Sequence, residues 1–128
     1  MIRVLVIDPE NQTACTVARA LEGQKMEPTI VCDREEALRQ LSTTPPDAVI
    51  LAAGPTGDWS EDLCRAVCER SLAPLMVVGN RDHDLVVERV LAAGADAHVL
   101  EPCASEVVVA QLWALLRRVG LFSSARAV

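Results

Sequence analysis

The sequence predicts a single α/β domain, a doubly wound five-stranded parallel sheet with helices on both faces. Three observations carry this expectation. Short apolar runs alternate five times with longer stretches of helical periodicity. The runs are nearly continuous instead of alternating, which is the pattern of strands covered on both faces. Proline and glycine punctuate the boundaries, and 128 residues are enough for one complete hydrophobic core.

The elements follow in order. Ile2 to Ile7 is an apolar run interrupted only by Arg3. From Glu10 to about Gly23, Ala14, Val17, Ala18 and Leu21 recur at helical spacing, with Gly23 as the expected stop. Thr29 to Val31 is a short strand, followed by a helix carrying Ala37, Leu38 and Leu41. Pro45 and Pro46 end that helix, because proline cannot continue the hydrogen-bond ladder. Ala48 to Ala52 is the next buried strand. Gly54, Pro55 and Gly57 mark a loop, and Ser60 followed by Glu61 and Asp62 is the expected helix start. Leu75 to Val78 is the fourth strand, and the next helix runs from about His83 to Ala93, with Gly94 ending it. His98 to Leu100 is the fifth strand, and the last helix spans about Ser105 to Val119. Right-handed crossovers join such strands. The domain is expected to cover 1–119, and 120–128 to be a frayed tail or the start of a linker. Chemistry in such sheets sits at the carboxyl ends of the strands, here the loops after Ile7, Ala52, Val78 and Leu100.

Composition narrows the function classes. With 51% hydrophobic residues the chain is no disordered segment. No apolar run reaches the ~18 residues of a membrane span, and no signal-peptide pattern precedes the first strand. A net charge of −6 without a Lys/Arg cluster argues against nucleic-acid binding by the domain itself. Cys15, Cys32, Cys64, Cys68 and Cys103 are scattered with no CxxC pair, as expected of reduced thiols in a cytoplasmic protein. Cys64 and Cys68 stand one helical turn apart and could offer two metal ligands. No His lies near them, so they read as small core hydrophobes and no metal site is expected.

The order of motifs resembles the receiver domains of response regulators, across about residues 1 to 119. RVLVIDPE is similar to the first strand of that family, PDAVILAA to the third, PLMVVGNRD to the fourth, and AAGADAHVLEP to the fifth. SEVVVAQLWALLRR is similar to the last helix of the family's winged-helix transcription-factor branch. The resemblance implies a flavodoxin-like (βα)5 fold with strand order 2-1-3-4-5. It also implies a phosphorylation pocket, and there this sequence departs from the family position by position. The phosphoacceptor position falls on Ala52, whose methyl cannot form an acyl phosphate. The acid pair that helps hold Mg²⁺ is reduced to Asp8, with Pro9 as its neighbour. The switch hydroxyl position falls on Gly79, and the lysine position on Glu101, whose charge would repel a phosphate; Pro102 is retained. His98 takes the place of the switch aromatic, where an imidazole could titrate near ~6.5. Asp58, six residues past Ala52, is displaced from the acceptor position. The expectation is therefore a pseudo-receiver that is not an enzyme and has no cofactor, its Mg²⁺ site lost.

What remains is protein contact. In the last helix, Val108, Leu112, Leu115 and Val119 form one apolar stripe for the sheet, and Val109, Trp113 and Leu116 a second beside it. Val107, Gln111 and Trp113 stand where the winged-helix branch usually carries charged intersubunit contacts. The preceding helix doubles its stripe with Val86 and Val90, then Val87 and Leu91. The expected assembly is a phosphorylation-independent homodimer through the fourth helix, fifth strand and fifth helix. Its interface would comprise Val87, Arg89, Leu91, Asp96, Val107, Val109, Gln111, Trp113 and Leu116. Two other occupants of that face are open: Leu121 and Phe122 folding back over Trp113, or an attached effector domain. The alternative function is a ligand- or cation-sensing domain, with Asp8 and Glu101 approaching each other near Arg81. Signalling or transcription control through a protein partner, with no contact to membrane, is the main reading.

Overall fold

The computed structural model describes residues 2–9, 14–52, 58–80, 84–101 and 104–120, and for residues 58–60, 80, 84–87 and 101 the backbone alone. Strands β1 (Ile2–Ile7), β2 (Met26–Val31), β3 (Ala48–Ala52), β4 (Leu75–Asn80) and β5 (Ala97–Glu101) alternate with helices α1 (Ala14–Gly23), α2 (Arg34–Thr43), α3 (Asp58–Arg70), α4 (Asp84–Ala92) and α5 (Ser105–Arg118). All strand pairings are parallel and the sheet order is β2-β1-β3-β4-β5, as expected from the sequence.

Successive residues of a strand point to opposite faces, so each central strand feeds two cores. Val4, Val6, Ile50, Met76 and Val78 face α1 and α5, where they meet Val17, Leu21, Val108, Leu112 and Leu115. Leu5, Ile7, Val49, Leu51 and Val77 face α2, α3 and α4, where they meet Leu41, Leu63, Val67 and Val90. Every residue from Val4 to Ile7 and from Ala48 to Ala52 is buried. A strand with no wet face has no place for polar side chains, which is why these runs read as continuous.

β2 is longer than the expected Thr29–Val31 and starts at Met26, running through Pro28. It pairs only with β1, and an edge strand tolerates the missing N–H of proline. α1 runs through Gly23, and the left-handed residue of the turn is Lys25, at φ 63°, and not the glycine. α2 is capped by Asp33, whose side chain accepts the Glu35 N–H at 3.2 Å, and stops at Thr43 ahead of the two prolines. α3 begins at Asp58, two residues before the expected Ser60, so Asp58 belongs to the helix and not to the loop.

Two aspartates clamp the amino end of the sheet. Asp47 donates its N–H to the Arg3 carbonyl at 2.8 Å, and its carboxylate accepts the Arg3 N–H at 2.8 Å. Asp96 does the same to Leu75, both bonds again 2.8 Å. Each stands immediately before a strand and finishes a ladder that would otherwise leave an N–H unmatched.

α4 ends in a Schellman turn: Ala95 N–H donates to the Val90 carbonyl and Gly94 N–H to that of Leu91, both at 3.1 Å. Gly94 sits at φ +120°, and a Cβ there would stand 2.6 Å from Cys68 Sγ. Cys68 reaches it because its thiol is 3.4 Å from the Gly94 carbonyl. Gly94→Ala should therefore destabilise the domain by about 2–4 kcal/mol through backbone strain and overpacking together. Urea unfolding of the single variant and of Gly94→Ala with Cys68→Ala separates the two contributions. Alanine at 94 with unchanged stability contradicts this account.

Candidate functional site

The carboxyl edge of the sheet brings the pocket positions onto adjacent strands. Ile7 pairs with Leu51, so Asp8 stands level with Ala52; Ala52 pairs with Val78, Gly79 with Leu100, and Asn80 with Glu101. Gly79 and Glu101 thus lie inside β4 and β5, beyond the Val78 and Leu100 expected as strand ends. Ala52 is 6% exposed and Gly79 is buried. Neither side chain carries an oxygen that could accept a phosphoryl group or bond one.

Asp8 is the buried charged residue of the described structure, at 3% exposure. One of its oxygens, Oδ2, accepts the Ala14 N–H at 2.9 Å, so it closes the first turn of α1. Its own N–H donates to the Val31 carbonyl at 2.9 Å, extending the β1–β2 ladder by one rung. Hard divalent cations such as Mg²⁺ take near-octahedral oxygen coordination. Among the described residues at this edge, Asp8 supplies the carboxylate and Pro9 and Ala52 supply no side-chain oxygen, so this donor set does not fit Mg²⁺. β1 and β5 are separated by β3 and β4, about 14 Å across three strand spacings. That span works against the expected approach of Asp8 to Glu101. The Glu101 side chain, Arg81 and Pro102 lie outside the described residues.

His98 pairs in register with Val77, a residue of the core beneath α2, α3 and α4, so the imidazole faces that side. Burial lowers its pKa from the ordinary 6.5. Burial pushes the Cys64 thiol up to about 12, with the neighbouring Cys68 adding to the effect; Cys68 is raised by burial and then by Asp96. Protonated, buried thiols pack as hydrophobes and are poor ligands. Cys103 and His83 lie outside the described residues.

The expected dimer face is redistributed by the packing of α5. Val109 is 5% exposed and Leu116 0%, and both belong to the core with Val108, Leu112 and Leu115. The second apolar stripe is therefore buried within the chain, because α5 packs on the sheet with one flank and on α1 with the other. Trp113 follows that flank. It is half-buried against the core and lines a cavity of about 330 Å³ with Ala20 of α1, Gln24 just beyond that helix, and Glu106 and Ala110 of α5. It faces α1, away from α4 and β5. Arg89 is also occupied, its guanidinium meeting Glu61 of α3 at 2.6 and 2.7 Å. That guanidinium, with Arg65, holds the Glu61 carboxyl below the usual carboxylate range. Asp96 is the strand clamp described above. Leu91 (44% exposed), Val107 (43%) and Gln111 remain outward on α4 and α5, flanking the edge strand β5. The side chain of Val87 lies outside the described residues.

Two outcomes follow. Asp8→Ala removes the cap of α1 and should cost about 1–2 kcal/mol in urea unfolding, whereas Asp8→Asn, which can still accept, should cost a few tenths. Equal losses would mean that charge, and not capping, is the role. For His98 the unfolded chain takes up a proton near pH 6.5, while the folded imidazole resists until lower pH. Stability should therefore fall as pH drops below about 6.5 and level off once the folded imidazole protonates. His98→Gln should remove that part of the slope, read as the difference between the two pH–stability curves.

No family model matches the chain. It is 31% identical over 120 residues to the sensory transduction protein RegX3 of Mycobacterium tuberculosis, which covers 94% of this chain and 53% of that protein. The DNA-binding response regulator MtrA of Mycolicibacterium smegmatis is 28% identical over 116 residues, covering 91% and 51%. The chain spans about half the length of these curated relatives. Among solved structures, a two-component response regulator from Clostridium difficile superimposes with a TM-score of 0.84 at 20% identity, over 94% of this chain and 99% of that one. The receiver domain of the Francisella response regulator 1452 gives 0.79 at 20% identity, over 93% and 99%. The structural likeness shows a common fold, and the sequence kinship runs through the same residues that build it. The chain has the CheY-like receiver fold, and over more than nine-tenths of its length its sequence is similar to that of response regulators.

Proposed function

We propose that this receiver domain signals without accepting a phosphoryl group and acts through protein contact. The observation that carries the reading is Ala52. The residue that ends β3, level with Asp8 at the carboxyl edge, presents a buried methyl where the resemblance places the phosphoacceptor. Gly79 on the neighbouring strand supports it, having no hydroxyl to follow a bound phosphoryl group. The domain is then a regulatory module and not an enzyme, with no cofactor. As in relatives named for sensory transduction or DNA binding, its role would be to control an effector in signalling or transcription.

The contact surface is proposed on α4, β5 and α5, between two copies of the chain. Its basis is narrower than the sequence implies: the outward Leu91, Val107 and Gln111 beside the edge strand. Exposed apolar residues flanking an unpaired strand edge favour association.

Incubation with a small-molecule phosphodonor and Mg²⁺ should leave the intact mass unchanged. A phosphoryl adduct mapped to any Asp overturns the first part of the proposal. Sedimentation equilibrium should show a dimer that Leu91→Glu with Val107→Glu shifts to monomer, while Trp113→Ala, on the α1 flank, leaves assembly intact. A monomer at all concentrations, or a dimer lost on Trp113→Ala alone, removes the proposed interface.

A further inference from the structure

The proposed contact surface straddles the outer edge of β5, and a titratable side chain lies within it. Among the described strands β5 pairs with β4 alone. Ala97 and Val99 turn to the core shared with α1 and α5, so His98 between them turns to the α4 side, half-buried and level with Val77. The packing of α4 fixes what lies above that edge. Val90 points into the core, and Arg89, on one flank, bonds to Glu61 of α3. Residues follow one another by about 100° around a helix, so Leu91 takes the other flank, away from α3 and beside β5. On the opposite face of the sheet, Val108 meets the core and Val109 the α1 groove, which leaves Val107 on the flank of α5 away from α1. His98 therefore stands on the edge that Leu91 and Val107 flank.

The described charged groups on that side are engaged or turned outward. Arg89 and Arg65 hold the Glu61 carboxylate. Asp96, on the same side of β5 as His98, accepts the Leu75 N–H at 2.8 Å. Glu88 is exposed, two positions from Val90 and so on the solvent side of α4. β4 has no ionisable residue along Leu75–Asn80. Burial is what lowers the pKa of His98. An imidazolium here is solvated by the water on the exposed part of its ring. A second copy seated on this edge would remove that water, and a buried charge without a partner is costly.

We propose that a second copy of the chain is held across β5 only while His98 is uncharged, so that protonation of this side chain releases the dimer. The inference rests on the interface proposed above and supplies its regulation. An imidazole covered in the dimer resists protonation more than the same imidazole in the monomer. The dimer is thus favoured at neutral pH and weakens as pH falls through the range in which the monomer takes up its proton. A two-fold interface covers two copies of His98, so dissociation takes up as many as two protons.

Sedimentation equilibrium at about pH 7.5 and about pH 5 tests this, because histidine is the side chain that ordinarily titrates in that interval. The chain has two, His83 and His98. The dimer dissociation constant should rise at least about tenfold at the lower pH. His98→Gln, neutral at both values, should keep the dimer and lose most of the change, whereas His83→Gln should retain it. His98→Lys, charged at both, should be monomeric at both, with far-UV circular dichroism showing each sample folded. Equal constants at the two pH values overturn the switch and leave the interface standing. A monomer at both values removes the interface and the switch with it. A change that survives His98→Gln, vanishes with His83→Gln or accompanies loss of helical signal belongs to other groups or to unfolding, and overturns the proposal. So does a His98→Gln chain that fails to dimerise at the higher pH, or a His98→Lys chain that succeeds.

Discussion

Neither face of the central strands of the sheet meets water, and the rest of the molecule follows from that. β1, β3 and β4 are buried on both sides along the runs Val4–Ile7, Ala48–Ala52 and Leu75–Val78. A peptide group in such a place must find its partner in the ladder, since water cannot reach it. Five parallel strands therefore need helical crossovers on both faces, and polar chemistry is driven to the two ends. Three aspartates do their work at those ends. Asp47 and Asp96 each accept a strand N–H at the amino end, and Asp8 accepts a helix N–H at the carboxyl end.

Asp8 shows how the fold itself can hold a residue of the pocket pattern in place. The resemblance marks it as half of an acid pair for a metal. In this chain the carboxylate is buried and caps α1, which ties the first helix to the first strand. Replacing it would leave an orphaned N–H at the start of α1 whatever happens at Ala52. Ala52 and Gly79 contribute to the ladder through their backbones, so the pairing does not depend on which side chain stands at either position.

The helix α5 shows how packing decides what a surface offers. Its two apolar stripes resemble a core face and an interface face. Both turn inward, because α5 meets the sheet and α1 at once, and Trp113 goes with the α1 flank. Arg89, expected from the sequence at the dimer interface, bonds to Glu61 on the neighbouring helix. Among the described residues, the large apolar side chains left outward are Leu91 and Val107 beside β5, Leu72 and Val119 under the sheet, and Ile30 on the opposite edge strand β2.

The sequence by itself determined the class of fold, the number and order of its elements, and the pocket substitutions. Continuous apolar runs, helical stripes and proline breaks are local signals, and residue identity at Ala52 or Gly79 needs no coordinates. It also located Gly94 as a helix stop, because the Schellman turn is built from neighbouring residues. Element ends were less legible: β2 reaches back to Met26 because an edge strand accepts Pro28, which a window of β-forming residues does not reveal. Only the tertiary structure decided which residues of α5 stay exposed, which side Trp113 faces, and which partners hold Asp8, Arg89 and Asp96. Those outcomes join residues distant in sequence, such as Glu61 with Arg89 and Leu75 with Asp96, and no periodicity within one segment carries that information.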